Sequence, residues 1–278
     1  MTRYPAEIFG HPIDVTSTQA RKDRQKHWCP FVNRECNKKS RLIRYPMGVC
    51  SVQYGDQIVA VSPRRFLQDN TVFKDIADHY FNSRNDLLLF SEVGLSQVGT
   101  FDYVMVKHKP LSRDIEDFVM IEFQAAQTTG TGALVKALQD FMQRGRFKEK
   151  SYRFGLNLAD IWKRSFTQIL NKGIILERWG HRIYWVVQEP VYRDLLDRYK
   201  LHGMAYNPSH KIVFAIYDLR RAGDRYNLFQ TRIESSTTDH LFRAFRNNPD
   251  IPPKDAFIEK LTQKMRVGMG LKLQLDQI

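Results

Sequence analysis

Phe101-Asp102-Tyr103-Val104-Met105-Val106 and Phe118-Val119-Met120-Ile121-Glu122-Phe123-Gln124-Ala125 are β-branched and aromatic runs, separated by a polar connection that carries Pro110, Ser112 and Asp114. Residues of this kind favour strands, and the connection makes the two runs an antiparallel pair. With the turn centred near Ser112, Asp102 falls opposite Glu122 on one face, and Gln124, two residues on, shares that face. The preceding run, Asp86 to Val93, reaches the Asp102 strand through Gly94-Leu95-Ser96-Gln97-Val98-Gly99. A turn near Gln97 sets Glu92 opposite Asp102 as well. A slip of one residue would turn any of these side chains to the other face.

Carboxylates held this close repel one another and raise each other's proton affinity unless a cation neutralises them. Their hard oxygens suit Mg²⁺ or Mn²⁺, an ion that can activate water and stabilise charge on a scissile phosphate. Gln124 has no basic group, so its work would be to orient water or a phosphate oxygen. The same spacing also describes an ordinary hairpin whose carboxylates lie on a solvated face.

Composition bears on that choice. The 278 residues carry 43 Lys and Arg against 30 Asp and Glu, a formal charge of +13, with a pI of about 9.7. A polyanion is the natural partner, because cationic surface gains affinity by releasing counterions from nucleic acid. The basic residues recur at 21–26, 38–44, 64–65, 144–150, 163–164 and 220–225, dispersed as in a protein that wraps a duplex. No apolar run approaches a membrane span and the N-terminus has no signal-peptide pattern, so a soluble, cytoplasmic protein without a membrane partner is expected. No Gly-Lys-Ser/Thr phosphate loop is present, which excludes a P-loop NTPase.

Three cysteines, all near the N-terminus, suggest a metal knuckle more than a disulfide framework. Cys29-Pro30-Phe31, Cys36-Asn37-Lys38, Val49-Cys50-Ser51 and Ser62-Pro63-Arg64-Arg65-Phe66 succeed one another after Phe9-Gly10-His11-Pro12-Ile13-Asp14. Glu92-Val93, Phe101-Asp102-Tyr103, Glu122-Phe123-Gln124 and Thr128-Thr129-Gly130-Thr131 come next. In this order, over residues 7 to 132, the segments resemble those of the NotI-type restriction endonucleases.

The resemblance implies a PD-(D/E)XK nuclease with Gln124 in the usual lysine position. On that pattern the fold is an α/β (α+β) mixed sheet with a metal-knuckle-like N-terminal region. Asp102 and Glu122 are then Mg²⁺ ligands, Glu92 an auxiliary carboxylate, and Gln124 the group that positions water. It further implies a type II enzyme acting as a homodimer on palindromic double-stranded DNA, leaving 5′-phosphate and 3′-hydroxyl ends, with a cognate DNA methyltransferase as genetic partner. In the family four cysteines hold iron; here Ser62 stands at the fourth position beside Cys29, Cys36 and Cys50. Serine is a poorer ligand than thiolate for a soft iron or zinc site. His11 or His27 could substitute, or the cysteines could simply pack as small hydrophobes. Arg64 and Arg65, with Thr128 and Thr129, are the DNA-contact candidates. A DNA-binding protein that keeps the scaffold without cutting, and a structure-selective repair nuclease, are the alternatives.

Residues 1–69 are expected to form the cysteine-containing DNA-contact region, 70–200 the nuclease core, and 201–278 a hairpin with helices packed on that core. Apolar spacing predicts helices over 71–82, 133–142, 157–170, 192–199, 239–246 and 253–265, a buried strand at 182–188, and a hairpin of 211–219 with 226–235 turned at Ala222-Gly223-Asp224.

Overall fold

The computed structural model describes residues 1–247 and 252–270. In chain order the strands are β1 (Arg3–Ile8), β2 (His11–Pro12), β3 (Trp28–Cys29), β4 (Arg34–Glu35), β5 (Val49–Tyr54), β6 (Gln57–Ala60), β7 (Leu87–Leu95), β8 (Gly99–His108), β9 (Ile115–Gln124), β10 (Thr128–Thr129), β11 (Gly155–Leu156), β12 (Ile183–Gln188), β13 (Ile212–Ala222) and β14 (Arg225–Ser236). The α-helices are α1 (Thr18–Gln25), α2 (Thr71–Ile76), α3 (Thr131–Arg144), α4 (Leu158–Gln168), α5 (Ile174–Trp179), α6 (Glu189–Tyr199), α7 (Thr238–Arg246) and α8 (Lys254–Arg266).

The expected mixed α/β sheet is present. Six strands run in the order β14-β13-β12-β9-β8-β7, with β9, β12 and β13 parallel and the other pairings antiparallel. Alternation along each strand divides the core between two faces. On one face Met120, Trp185, Val187, Phe214 and Ile216 pack with Leu138 of α3, Trp162 and Phe166 of α4 and Leu195 of α6. On the other, Val119, Ile121, Tyr184, Val186 and Val213 pack with Phe66 and with Val72, Phe73 and Ile76 of α2. The β13–β14 hairpin, turned where expected, hydrogen-bonds directly to β12 and so extends the sheet.

Two helices differ from the spacing that announces them. The 71–82 helix is α-helical only to Ile76 and continues as a π-turn over Ala77–Phe81. The 157–170 helix passes at Ile169–Gly173 through a second π-turn into α5. The insertion of an extra residue rotates the next turn relative to a strict 3.6 period.

The N-terminal region is also more ordered than its turn-rich sequence suggests. β1 lies between β2 and β5, and β6 completes a four-stranded antiparallel sheet. Ile8, Val49, Val52, Val59 and Val61 join the same hydrophobic cluster as α3 and β8. A close contact fixes the start of α3: Gly130 has φ +67°, and a Cβ there would meet the Arg153 carbonyl oxygen at 2.8 Å. Only glycine takes that backbone without strain. Among the described residues no helix is long and apolar enough to cross a membrane.

Candidate active site

Tyr103 pairs with Ile121 across β8 and β9, and one further step in that register sets Asp102 against Glu122. The Asp102 carboxylate accepts the Phe123 backbone N–H at 2.8 Å. Glu122 and Gln124 share the face of β9 that turns to α4. There Gln124 Oε1 accepts from Ser165 Oγ at 3.0 Å, while its Nε2 lies 3.5 Å from Gln168 Oε1. Asp102, Glu122 and Gln124 line one cavity of about 480 Å³ together with Lys38, Thr128, Thr131, Arg164 and Gln168.

Burial and the neighbouring Asp102 charge push the Glu122 carboxyl up to about 7, against the pull of the Lys172 ammonium. Burial likewise raises Asp102. Glu122 is only 2 % exposed. Two hard carboxylates sharing an open cavity, each held above its ordinary proton affinity, are a donor set that fits Mg²⁺, which needs one or two carboxylates and keeps several waters.

Glu92 also stands in the expected register, bracketed by the pairs Ser91 with Tyr103 and Val93 with Phe101. Its backbone adopts φ +55°, interrupting the ladder, and its side chain is exposed. It lines an adjoining cavity of about 450 Å³ with Asp102, Tyr103, Arg34 and Arg64. The three carboxylates do not close on one point: among the described residues no group of three or more His, Cys, Asp or Glu could hold a metal ion.

The same holds for the knuckle. Cys29, Cys36, Cys50 and Ser62 do line one cavity, of about 260 Å³. The three thiols are nevertheless free and do not form a metal-binding group. Cys50 Sγ donates to the Gly48 carbonyl at 3.6 Å, and burial raises both Cys29 and Cys50, which favours the neutral thiol. Neither histidine replaces the missing ligand. His11 Nε2 is 2.7 Å from Asp23 Oδ2, and the His27 ring lies against those of Phe9 and Tyr45. Among the described residues these side chains form no group placed to hold iron or zinc, and packing and hydrogen bonds hold the segment.

Arg65 departs from the expected DNA contact because it lies inside the protein. It has no exposed surface, donates to Glu7 Oε2 at 2.8 Å, Gln68 Oε1 at 2.9 Å and the Tyr226 carbonyl at 2.5 Å, and stacks on Phe31. With every edge of its guanidinium engaged inside the protein, it cannot reach DNA. Arg64 differs: it is half-buried between two cavities, bonds Asn37 through Nη2 and has a Nη1 without a partner. Thr128 lines the main cavity, and Thr129, paired with Gly155, is exposed.

The sequence missed one member. Lys172, in the π-turn after α4, donates to Glu122 Oε1 at 2.6 Å and to the Thr100 carbonyl at 2.7 Å. The family model for the restriction endonuclease NotI matches residues 7–228, most of the chain and all of the elements that build this site. The chain belongs to the NotI restriction endonuclease family. Within that NotI-family span lie the cysteine cavity, Asp102, Glu122, Gln124 and Lys172 alike. No curated protein matches the chain. Among solved structures, SfsA of Pyrococcus furiosus in complex with Ca²⁺ is similar at 13 % identity and a TM-score of 0.33, over 73 % of this chain and 76 % of that one.

Proposed function

We propose that this chain is a type II restriction endonuclease that cuts both strands of duplex DNA at a specific palindromic sequence, with Mg²⁺, leaving 5′-phosphate and 3′-hydroxyl ends. The observation that carries the reading is the placement of Asp102 and Glu122 side by side across β8 and β9, opening with Gln124 into one cavity of a NotI-family chain.

Asp102 and Glu122 are the residues that would hold Mg²⁺. The bound ion supplies Lewis acidity that makes water a nucleophile and offsets charge on the phosphate. Gln124 cannot take up a proton, but Ser165 fixes its amide, so it can present a water to the scissile phosphorus. That water would give up a proton to solvent as its oxygen bonds to phosphorus in line, the bond from phosphorus to the 3′-oxygen would break, and the 3′-oxygen would take a proton from solvent to become the hydroxyl. Glu92 is an auxiliary carboxylate in the adjoining cavity, where Arg34 and Arg64 would grip the flanking phosphates. Thr128 on β10 and Thr131, the first residue of the 14-residue α3, line the main cavity, where backbone N–H groups and the helix dipole favour a phosphate. The net charge of +13 supports the polyanionic substrate. A homodimer would match the two-fold symmetry of a palindrome, and a methyltransferase of the same specificity would protect the host's own DNA.

Incubation of the purified protein with unmethylated phage DNA and Mg²⁺ tests the proposal. Discrete bands that vanish with Asp102→Asn and Glu122→Gln support it. Smearing, or cutting confined to nicked or flapped DNA, would favour a repair nuclease; binding without cutting would favour a non-catalytic module. Discrete bands that persist in both variants would move the active centre elsewhere.

A further inference from the structure

Lys172 is 2 % exposed, yet its ammonium lies among charged and polar atoms that belong to the two site strands. One donor reaches Glu122 Oε1 on β9 at 2.6 Å and another reaches the carbonyl of Thr100 on β8 at 2.7 Å, two residues before Asp102. The charge also sits 4.9 Å from the centre of the Phe101 ring. A single ammonium thus ties together the strands that carry both carboxylates.

The delivery of Lys172 to this position is local and specific. The π-turn Ile169–Gly173 shifts the phase of the helix after Gln168, and π-turns recur at functional sites because they re-aim a side chain in this way. Gly173, the next residue, lets the turn press on the sheet: a Cβ there would meet Ile212 Cδ1 at 2.6 Å and Thr238 Oγ1 at 2.9 Å. Buried ion pairs are weak sources of stability, since well-packed apolar residues often do as well. A buried lysine placed on a site carboxylate therefore calls for another explanation.

We infer that Lys172 is a positioning residue for this centre, fixing the Glu122 carboxylate through Oε1 and the start of β8 through Thr100, so that Glu122 and Asp102 meet the ion and phosphate in register. The inference rests on the proposed reading of Asp102 and Glu122. It also explains how a site with neutral Gln124 keeps a fixed positive charge beside its two carboxylates. Lys172 does not touch substrate in this role; it acts through Glu122.

The test compares Lys172→Met and Lys172→Arg with Glu122→Gln. Misplacement of a site carboxylate by about an ångström is expected to lower kcat by about 100-fold in Lys172→Met, with KM for DNA within about threefold of the parent. In crystals of the metal-free Lys172→Met protein the Glu122 carboxylate is expected to leave its present position. A kcat within about threefold of the parent, or a Glu122 that stays in place, would overturn the inference while an inactive Glu122→Gln keeps the site reading intact. Active Glu122→Gln would instead remove the site reading itself. Should Lys172→Met fail to fold, Lys172→Arg keeps the charge but carries a wider head. It is expected to lose about tenfold in kcat at unchanged KM, and parental kcat would refute the positioning role.

Discussion

The Asp102 side chain accepts the backbone N–H of Phe123, the residue between Glu122 and Gln124, at 2.8 Å. One carboxylate therefore both faces the cavity and braces the strand that carries the rest of the site. Asp102→Asn keeps an oxygen for the brace and removes the charge. It is expected to fold normally, to bind DNA in Ca²⁺, and to cut at least about 1000-fold more slowly. Asp102→Ala loses the brace too, and chemical denaturation is expected to show a further loss of about 1–2 kcal/mol.

On the proposed reading, Glu122 makes the Mg²⁺ requirement depend on pH. Its carboxyl is pushed up to about 7, so it carries a proton below that pH, and the ion must displace it. The Mg²⁺ concentration for half-maximal cleavage is expected to rise about tenfold per pH unit below 7 and to level off above it. Ion-free stability moves the other way. A raised carboxyl destabilises the ion-free fold fully above about 7, and the penalty disappears as pH falls towards the ordinary glutamate value. Glu122→Gln is expected to remove that pH dependence, worth on the order of 2 kcal/mol, in ion-free thermal or urea unfolding at pH 8 against pH 5. An identical slope in the variant would show that the titrating group is another.

Arg64 and Arg65 are adjacent in sequence and differ in burial. Arg65→Ala leaves Glu7 as an unpaired buried charge, so unfolding free energy is expected to fall by about 3–5 kcal/mol. Arg64→Ala is expected to leave stability nearly unchanged and to weaken DNA binding about tenfold, with a shallower salt dependence by filter binding or fluorescence anisotropy.

Ser165 is the smallest element of the site. Ser165→Ala frees the Gln124 carbonyl oxygen, and a cleavage rate about tenfold lower with unchanged DNA affinity is expected if Gln124 works by orientation.

How much of this could be read from the chain varies by residue. The β8–β9 register was legible because a short connection near Ser112 fixes the pairing of a hairpin, and the same holds for Glu92 opposite Asp102. Lys172 was not, since it meets Glu122 from fifty residues away and through a π-turn that no 3.6-residue pattern announces. The N-terminal sheet escaped for a related reason: β1 contains Pro5 and pairs with β5 across more than forty residues. Arg65 looked like Arg64 because both come directly after Ser62-Pro63, and only the tight 3₁₀ turn that begins at Pro63 decides which of them points inward. The cysteine segments were legible as a group sharing one cavity, but the burial that raises the Cys29 and Cys50 thiols was not.

β9 occupies the interior of the six-stranded sheet, zipped to β8 on one side and β12 on the other. Amides of such a strand exchange with solvent only when the whole sheet opens, whereas edge strands such as β7 and β14 can fray first. The proposed site thus sits on a central strand, which is expected to open late in unfolding. Loss of cleavage on heating should track global unfolding, with no warm, folded, inactive state before it.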